Sequence, residues 1–135
     1  MLMVGSKSLL ARANLPILSN ILIEAAAKKL MVLSTDLETA VQVSLDCKIT
    51  SEGKTTVIGK TLLEYVSALP DGEVEIEKLG EELLISTKGY SARFATMPAE
   101  EFPAIPRIEK GISFEVGAAE LARTINRVAF CAAQD

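Results

Sequence analysis

The sequence predicts an α+β domain of short antiparallel strands around one amphipathic helix, followed by the opening of a second domain. Three observations carry this. Apolar residues alternate with polar ones in several short runs bounded by turn residues, the period of a half-buried strand. One stretch, Thr61 to Leu69, switches to helical period, with Leu62, Val66 and Leu69 at i, i+4 and i+7. The pattern lapses between Phe102 and Gly111, where Pro103 and Pro106 stand among the charges Arg107, Glu109 and Lys110, and then a strand-then-helix order begins again.

Taken in order, Ile17 to Ala26 is almost wholly apolar and reads as a strand packed on both faces, and Leu30 to Ser34 as its partner. Ala27-Lys28 between them offers no glycine or asparagine, so a loose turn is expected in place of a tight primed one. Val41, Val43 and Leu45 alternate with Gln42, Ser44 and Asp46, and Thr55 to Ile58 forms another short strand after Gly53. Thr61 is the expected N-cap of the helix, Glu64 completes a capping box, and Pro70 stops the helix before the Asp71-Gly72 turn. Val74 and Ile76 alternate with glutamates, Leu83 to Thr87 follows Gly80, and Lys88-Gly89 turns the chain into Tyr90 to Thr96. Beyond the linker, Ile112 to Val116 predicts a strand and Ala118 to Ala133 a helix, with Leu121, Ile125 and Val128 on one face and Arg123 and Arg127 on another.

Composition narrows the function. The 135 residues suit one domain or one domain and the start of another, since domains most often hold ~100–150 residues. A hydrophobic fraction of 49% supplies a core, while Ser19, Asn20 and Glu24 interrupt the richest apolar segment well short of a membrane span of ~18 residues. Met1 to Val4 carry no basic side chain and Lys7 and Arg12 break the apolar stretch, so no secretory leader is read and the cytoplasm is the expected compartment. Cys47 and Cys131 stand alone without metal-ligand spacing, which fits ordinary thiols. A net charge of −4 argues against a compact, generally basic nucleic-acid binder.

Enzyme chemistry has few residues to work with. There is no histidine, which excludes Ser-His-Asp and Cys-His nucleophilic sites and histidine-based metal sites. Asp36 and Glu38 are the best carboxylate pair, two apart and so on one side of an extended segment; a surface role and a metal site are both open to them. Gly53-Lys54-Thr55 lacks the upstream glycine of a phosphate-binding loop, and no cofactor is expected.

Three strings remain: Leu15-Pro16-Ile17-Leu18-Ser19-Asn20-Ile21-Leu22-Ile23-Glu24, Thr35-Asp36-Leu37-Glu38, and Pro98-Ala99-Glu100-Glu101-Phe102-Pro103. In this order and spacing they resemble the bacterial sliding clamp, the beta subunit of DNA polymerase III. The resemblance implies the DNA clamp (processivity) fold, with antiparallel sheets outside and helices lining a DNA hole. It assigns residues 1–111 to the N-terminal domain and 112–135 to the start of the central domain. It implies a noncatalytic processivity factor for DNA replication: a homodimeric ring that encircles double-stranded DNA. The replicative polymerase and an ATP-driven clamp loader would be met through regions mostly outside this chain. Family members begin with a strand and a complete helix, whereas only Val4 to Ala13 precede the Leu-Pro-Ile-Leu motif here. A truncated product, a misassigned start codon or an incomplete reading frame is therefore expected, and a fragment acting only as a protein interaction domain is the alternative function.

Carried over residue by residue, the resemblance makes Arg12 and Lys60 DNA-facing cations, with Arg123 and Arg127 as weaker candidates on the next domain's helix. Each would meet phosphates, since sliding needs contacts independent of sequence. Solvated helix-end cations that favour the C-terminal dipole are the competing account. Ala92, Arg93 and Phe94 match the edge strand that closes the ring, and a core phenylalanine is the other account of Phe94.

Overall fold

The computed structural model describes residues 16–105 and 111–132. The chain divides into two compact units between Ile105 and Pro106. In the first, a 3-10 turn (Pro16–Ser19) leads into β1 (Asn20–Ala26), β2 (Lys29–Thr35), β3 (Ala40–Asp46) and β4 (Gly53–Ile58). Helix α1 (Gly59–Ser67) follows directly, then β5 (Glu75–Leu79), β6 (Glu82–Thr87), β7 (Tyr90–Met97) and a short 3-10 turn (Ala99–Glu101). The seven strands form one antiparallel sheet in the order β3-β2-β1-β4-β7-β6-β5.

The first strand starts later than its sequence suggests. Proline at position 16 fixes its own φ, and Pro16–Ser19 coils into a 3-10 turn that drops Ile17 into a small cluster with Leu33 and Phe102. From Asn20 onward both faces of β1 are packed, because Ile23 joins the main core and neighbouring Leu22 packs against the smaller cluster on the other face. Asn20 is buried; its Nδ2 donates to Thr56 Oγ1 at 3.0 Å, and that hydroxyl donates to Met97 O at 3.1 Å. One side-chain relay thus ties β1, β4 and the end of β7 at the middle of the sheet. Phe102, read from sequence as the start of a linker, is core.

The β1–β2 turn is tight, not loose. Ala26 pairs with Lys29, and the two residues between, Ala27 and Lys28, have φ of 50° and 66°. This is the left-handed turn expected of Asn-Gly, adopted by residues that lose ~1–2 kcal/mol each by doing so. The register outweighs that cost: Leu22 opposite Leu33 and Ala25 opposite Leu30 put both apolar sets on their clusters, and a slip of one residue would turn them out. Glu52 Oε1 also accepts the Ala27 N–H at 3.0 Å.

Helix α1 begins two residues before the expected Thr61 cap. β4 runs straight into it, Ile58 occupies the N-cap position, and no side chain caps the end. Gly59 is required by the close approach to β1, since a Cβ there would lie 2.9 Å from Ile21 Cγ2. The buried face also differs from the i, i+4, i+7 reading: Leu62 and Tyr65 reach the core, and Val66 is exposed. The main core joins Leu62 to Ile23, Val57, Leu83, Ile85 and Phe94. Tyr65 meets Phe94 edge-to-face at 5.5 Å and 63°. Each large side chain so buried is worth ~1.5–3 kcal/mol.

In the second unit, helix α2 (Ala118–Val128) ends earlier than expected and tightens into a 3-10 turn (Ala129–Cys131); Ala133 lies outside the described residues. Residues 112–116 form no strand, contrary to their apolar alternation. A strand needs a ladder partner, and none is present among the described residues of this unit.

Candidate nucleic-acid and subunit interface

Lys60 stands in the first turn of α1, exposed to solvent, where the β4–α1 junction holds it. This is the positive end of the helix dipole, where a cation loses ~0.3–1 kcal/mol, so helix stability does not account for a lysine here. Arg127 is the opposite case, exposed in the last turn of α2 where the dipole favours it. Arg123 folds its Nε back toward Ala119 O at 3.3 Å. Arg12 lies outside the described residues. Lys60 belongs to the first unit, and Arg123 and Arg127 to the second.

The strand carrying Ala92, Arg93 and Phe94 is interior in the strand order, but only in part. β6 pairs with β7 from Tyr90 to Ala95, while β4 reaches only Thr96 and Met97. Residues 90–95 therefore present one unpaired backbone edge among the described residues. Phe94 is buried in the main core and Ala92 packs beside it, while Arg93 points to the other face and pairs with Glu82 at 3.2 Å. Of the two carboxylates, Asp36 acts as a turn device. Asp36 Oδ1 accepts the N–H groups of Glu38 at 2.9 Å and Thr39 at 2.6 Å, which holds Leu37 at φ 76°. Among the described residues no three His, Cys, Asp or Glu side chains converge as metal ligands, and no helix is long and apolar enough to cross a membrane.

Sequence reasoning missed three features. Tyr65 was hidden by a helical spacing that favoured Val66. Lys54 pairs with Glu100 at 3.2 Å, joining β4 to the turn after β7, a contact no local pattern encodes. A cleft of about 520 Å³ is lined by Ile23, Leu30, Ile76, Leu79 and Leu83, with the buried Thr55 hydroxyl in its wall lacking a partner among the described residues.

The seven-stranded antiparallel sheet with a helix laid on its main core matches the fold of solved DNA sliding clamps. The Pseudomonas aeruginosa DNA polymerase III beta subunit structure matches with a TM-score of 0.85 at 27% identity, covering 92% of this chain and 34% of that one. The Thermotoga maritima beta subunit structure gives 0.80 at 37% identity, over 89% of this chain and 33% of its own. Residues 2–106 match the family described as DNA polymerase III beta subunit, N-terminal domain. The chain belongs to that family. Among its curated relatives, the beta sliding clamp of Treponema pallidum is 33% identical over 126 residues, 92% of this chain and 34% of the relative. The chain spans about a third of the length of the curated relatives it matches.

Proposed function

We propose that the chain is the leading part of a DNA polymerase processivity factor, with residues 1–111 as the N-terminal domain and 112–135 as the opening of the central one. The family match across the first unit carries this reading. In the whole protein a closed ring converts dissociation from duplex DNA into one-dimensional diffusion, and the clamp itself catalyses nothing and holds no cofactor. Lys60 supports the reading because its place at a helix N-terminus favours an approaching phosphate over the helix itself. Arg12, Arg123 and Arg127 join it as sequence-independent phosphate contacts. The free edge of β7 at residues 90–95 receives a strand of a second subunit, with Ala92 and Phe94 stiffening it from the core side and Arg93 on its outer face. The polymerase and the loader act through parts beyond this chain, in the cytoplasm.

The test is retention of the parent protein on circular and linear DNA. Loss after linearisation is expected, and equal retention on both would end the topological reading. Lys60→Glu should speed loss from the circle as well, with a weaker salt dependence.

A second reading, an interaction fragment that pairs with full-length subunits, is favoured by the same free β7 edge. Phe94→Asp is a poor probe of it because the ring is core. Arg93→Glu, at an exposed position, is expected to remove co-purification with a full-length clamp if this reading is right.

A further inference from the structure

The first unit's sheet is two half-sheets that meet at a short seam. β1 follows β4 along its whole length, and β6 follows β7 through residues 90–95. β4 and β7 meet only where Thr56 faces Met97 and Val57 faces Thr96. The seam cannot lengthen in either direction. Continued one way, the register sets Thr55 against Pro98, which has no N–H; continued the other way, it passes Ile58 and runs into α1. The β4 side of the seam carries Lys60 on α1, and the β7 side carries the free edge at residues 90–95.

The two faces of the seam are held differently. On one, Val57, Leu62 and Tyr65 pack against Leu83, Ile85 and Phe94. On the other, where Leu22 and Met97 join the smaller cluster, the Asn20 amide donates to Thr56 Oγ1 and that hydroxyl donates to Met97 O. Apolar packing has no preferred direction, whereas a hydrogen bond weakens steeply as its angle closes. The relay is therefore the part of the seam that specifies an angle. Asn20 Oδ1 is buried without a partner among the described residues, a cost that an apolar side chain of similar size would avoid. Stability alone does not account for an asparagine here; a directional tie does.

We infer that Asn20 is a positioning residue for ring closure. Through Thr56 it fixes the angle at the seam, and so holds the edge at residues 90–95 in one orientation to the Lys60 end of α1. The inference rests on the reading of that edge as the subunit contact. A head-to-tail contact closes into a ring only if its rotation is right, so an edge free to turn at the seam would weaken closure without any change in the residues that touch the partner.

Two measurements test it. In the 135-residue chain with Cys47→Ser and Cys131→Ser, spin labels on Gln42→Cys in β3 and Glu77→Cys in β5 report the distance between the half-sheets. Asn20→Leu with Thr56→Val replaces both relay side chains by apolar ones of similar shape. It is expected to broaden that distance distribution while circular dichroism stays unchanged. In the parent protein the same pair should weaken subunit association about tenfold, the scale of one well-formed buried hydrogen bond. Thr56→Ser keeps the hydroxyl and should match the wild type in both measurements. If the pair disturbs the circular dichroism, Thr56→Val alone is read by the same criteria.

An unchanged distance distribution, or unchanged association, overturns the inference. So does a Thr56→Ser variant as impaired as the double one, which would make packing of the methyl group the operative contact. Arg93→Glu separates the inference from the reading beneath it. Association lost on Arg93→Glu yet intact in the double variant overturns the inference alone, whereas association indifferent to Arg93→Glu overturns the β7 reading and the inference with it.

Discussion

The two units put amphipathic sequence to different use. In the first, α1 is nine residues long and two of them, Leu62 and Tyr65, reach a core supplied by five strands' worth of apolar neighbours. In the second, α2 has the cleaner separation, with Leu121, Ile125 and Val128 on one face, yet all three are exposed. Periodicity states which side of a helix favours burial. It does not supply the surface that buries it, and most helical stability comes from that surface.

The largest test of this contrast is a pair of truncations. Phe94 is 9% exposed and packs on Tyr65, whereas Leu121 is 44% exposed. Phe94→Ala should cost ~3–5 kcal/mol, a large share of a small domain's total stability, and lower the urea midpoint accordingly. Leu121→Ala should stay within ~0.5 kcal/mol, the range of ordinary surface changes. Equal losses at the two sites would show that α2 buries its face against something in solution, and the contrast would break.

A smaller test concerns local cost within the first unit. Ala27 and Lys28 hold left-handed conformations that neither favours, and the hairpin register is what holds them there. Lys28→Gly should therefore stabilise the domain by ~1 kcal/mol, read as a raised thermal midpoint. No change would mean that the unfolded chain's gain in freedom cancels the relief of strain.

The same turn shows what was legible in the sequence. In the first unit strand positions came through wherever side chains alternate, because burial on one face leaves a period of two; residues 112–116 alternate as well and form no strand. The α+β class followed from that and from one change of period. Turn geometry did not come through, since the penalty at residues 27 and 28 is local while the pairing that overrides it is spread over the whole hairpin. The helix start was misplaced because a strand feeds it with no loop to hold a capping residue. Tyr65 was missed for a related reason: spacing cannot tell which of two adjacent apolar residues meets a partner from a distant strand. Sheet order was also beyond reach, so nothing in Ala92-Arg93-Phe94 announced that their strand is covered on one edge and open on the other. Lys60 was readable as a cation at the start of the helix; that it lies inside the first turn, not ahead of the cap, follows from the β4–α1 junction.

The smallest expected effect separates long-range from local polar contacts. In the second unit the side-chain hydrogen bonds that Arg123 and Thr124 donate stay within α2, while in the first Glu100 reaches Lys54 on another element. The Glu100 carboxyl is held below its ordinary value of 4.5, chiefly by a backbone hydrogen bond at Glu100 and then by the Lys54 ammonium. A carboxyl with a folded pKa below its unfolded one adds stability that is fully present above the unfolded value and fades as pH falls through the folded one. The contribution therefore disappears only on the acid side of 4.5. Because the pair is open to solvent and screened by salt, Glu100→Gln should leave the neutral-pH midpoint nearly unmoved while flattening the acid limb of the stability curve. Thr124→Val, which removes a bond made inside one helix, should not alter that limb at all. A Glu100→Gln variant with an unchanged acid limb would mean that Lys54 and Glu100 are each better served by water, and that the first unit's long-range order rests on apolar packing and the buried Asn20–Thr56 relay without this surface pair.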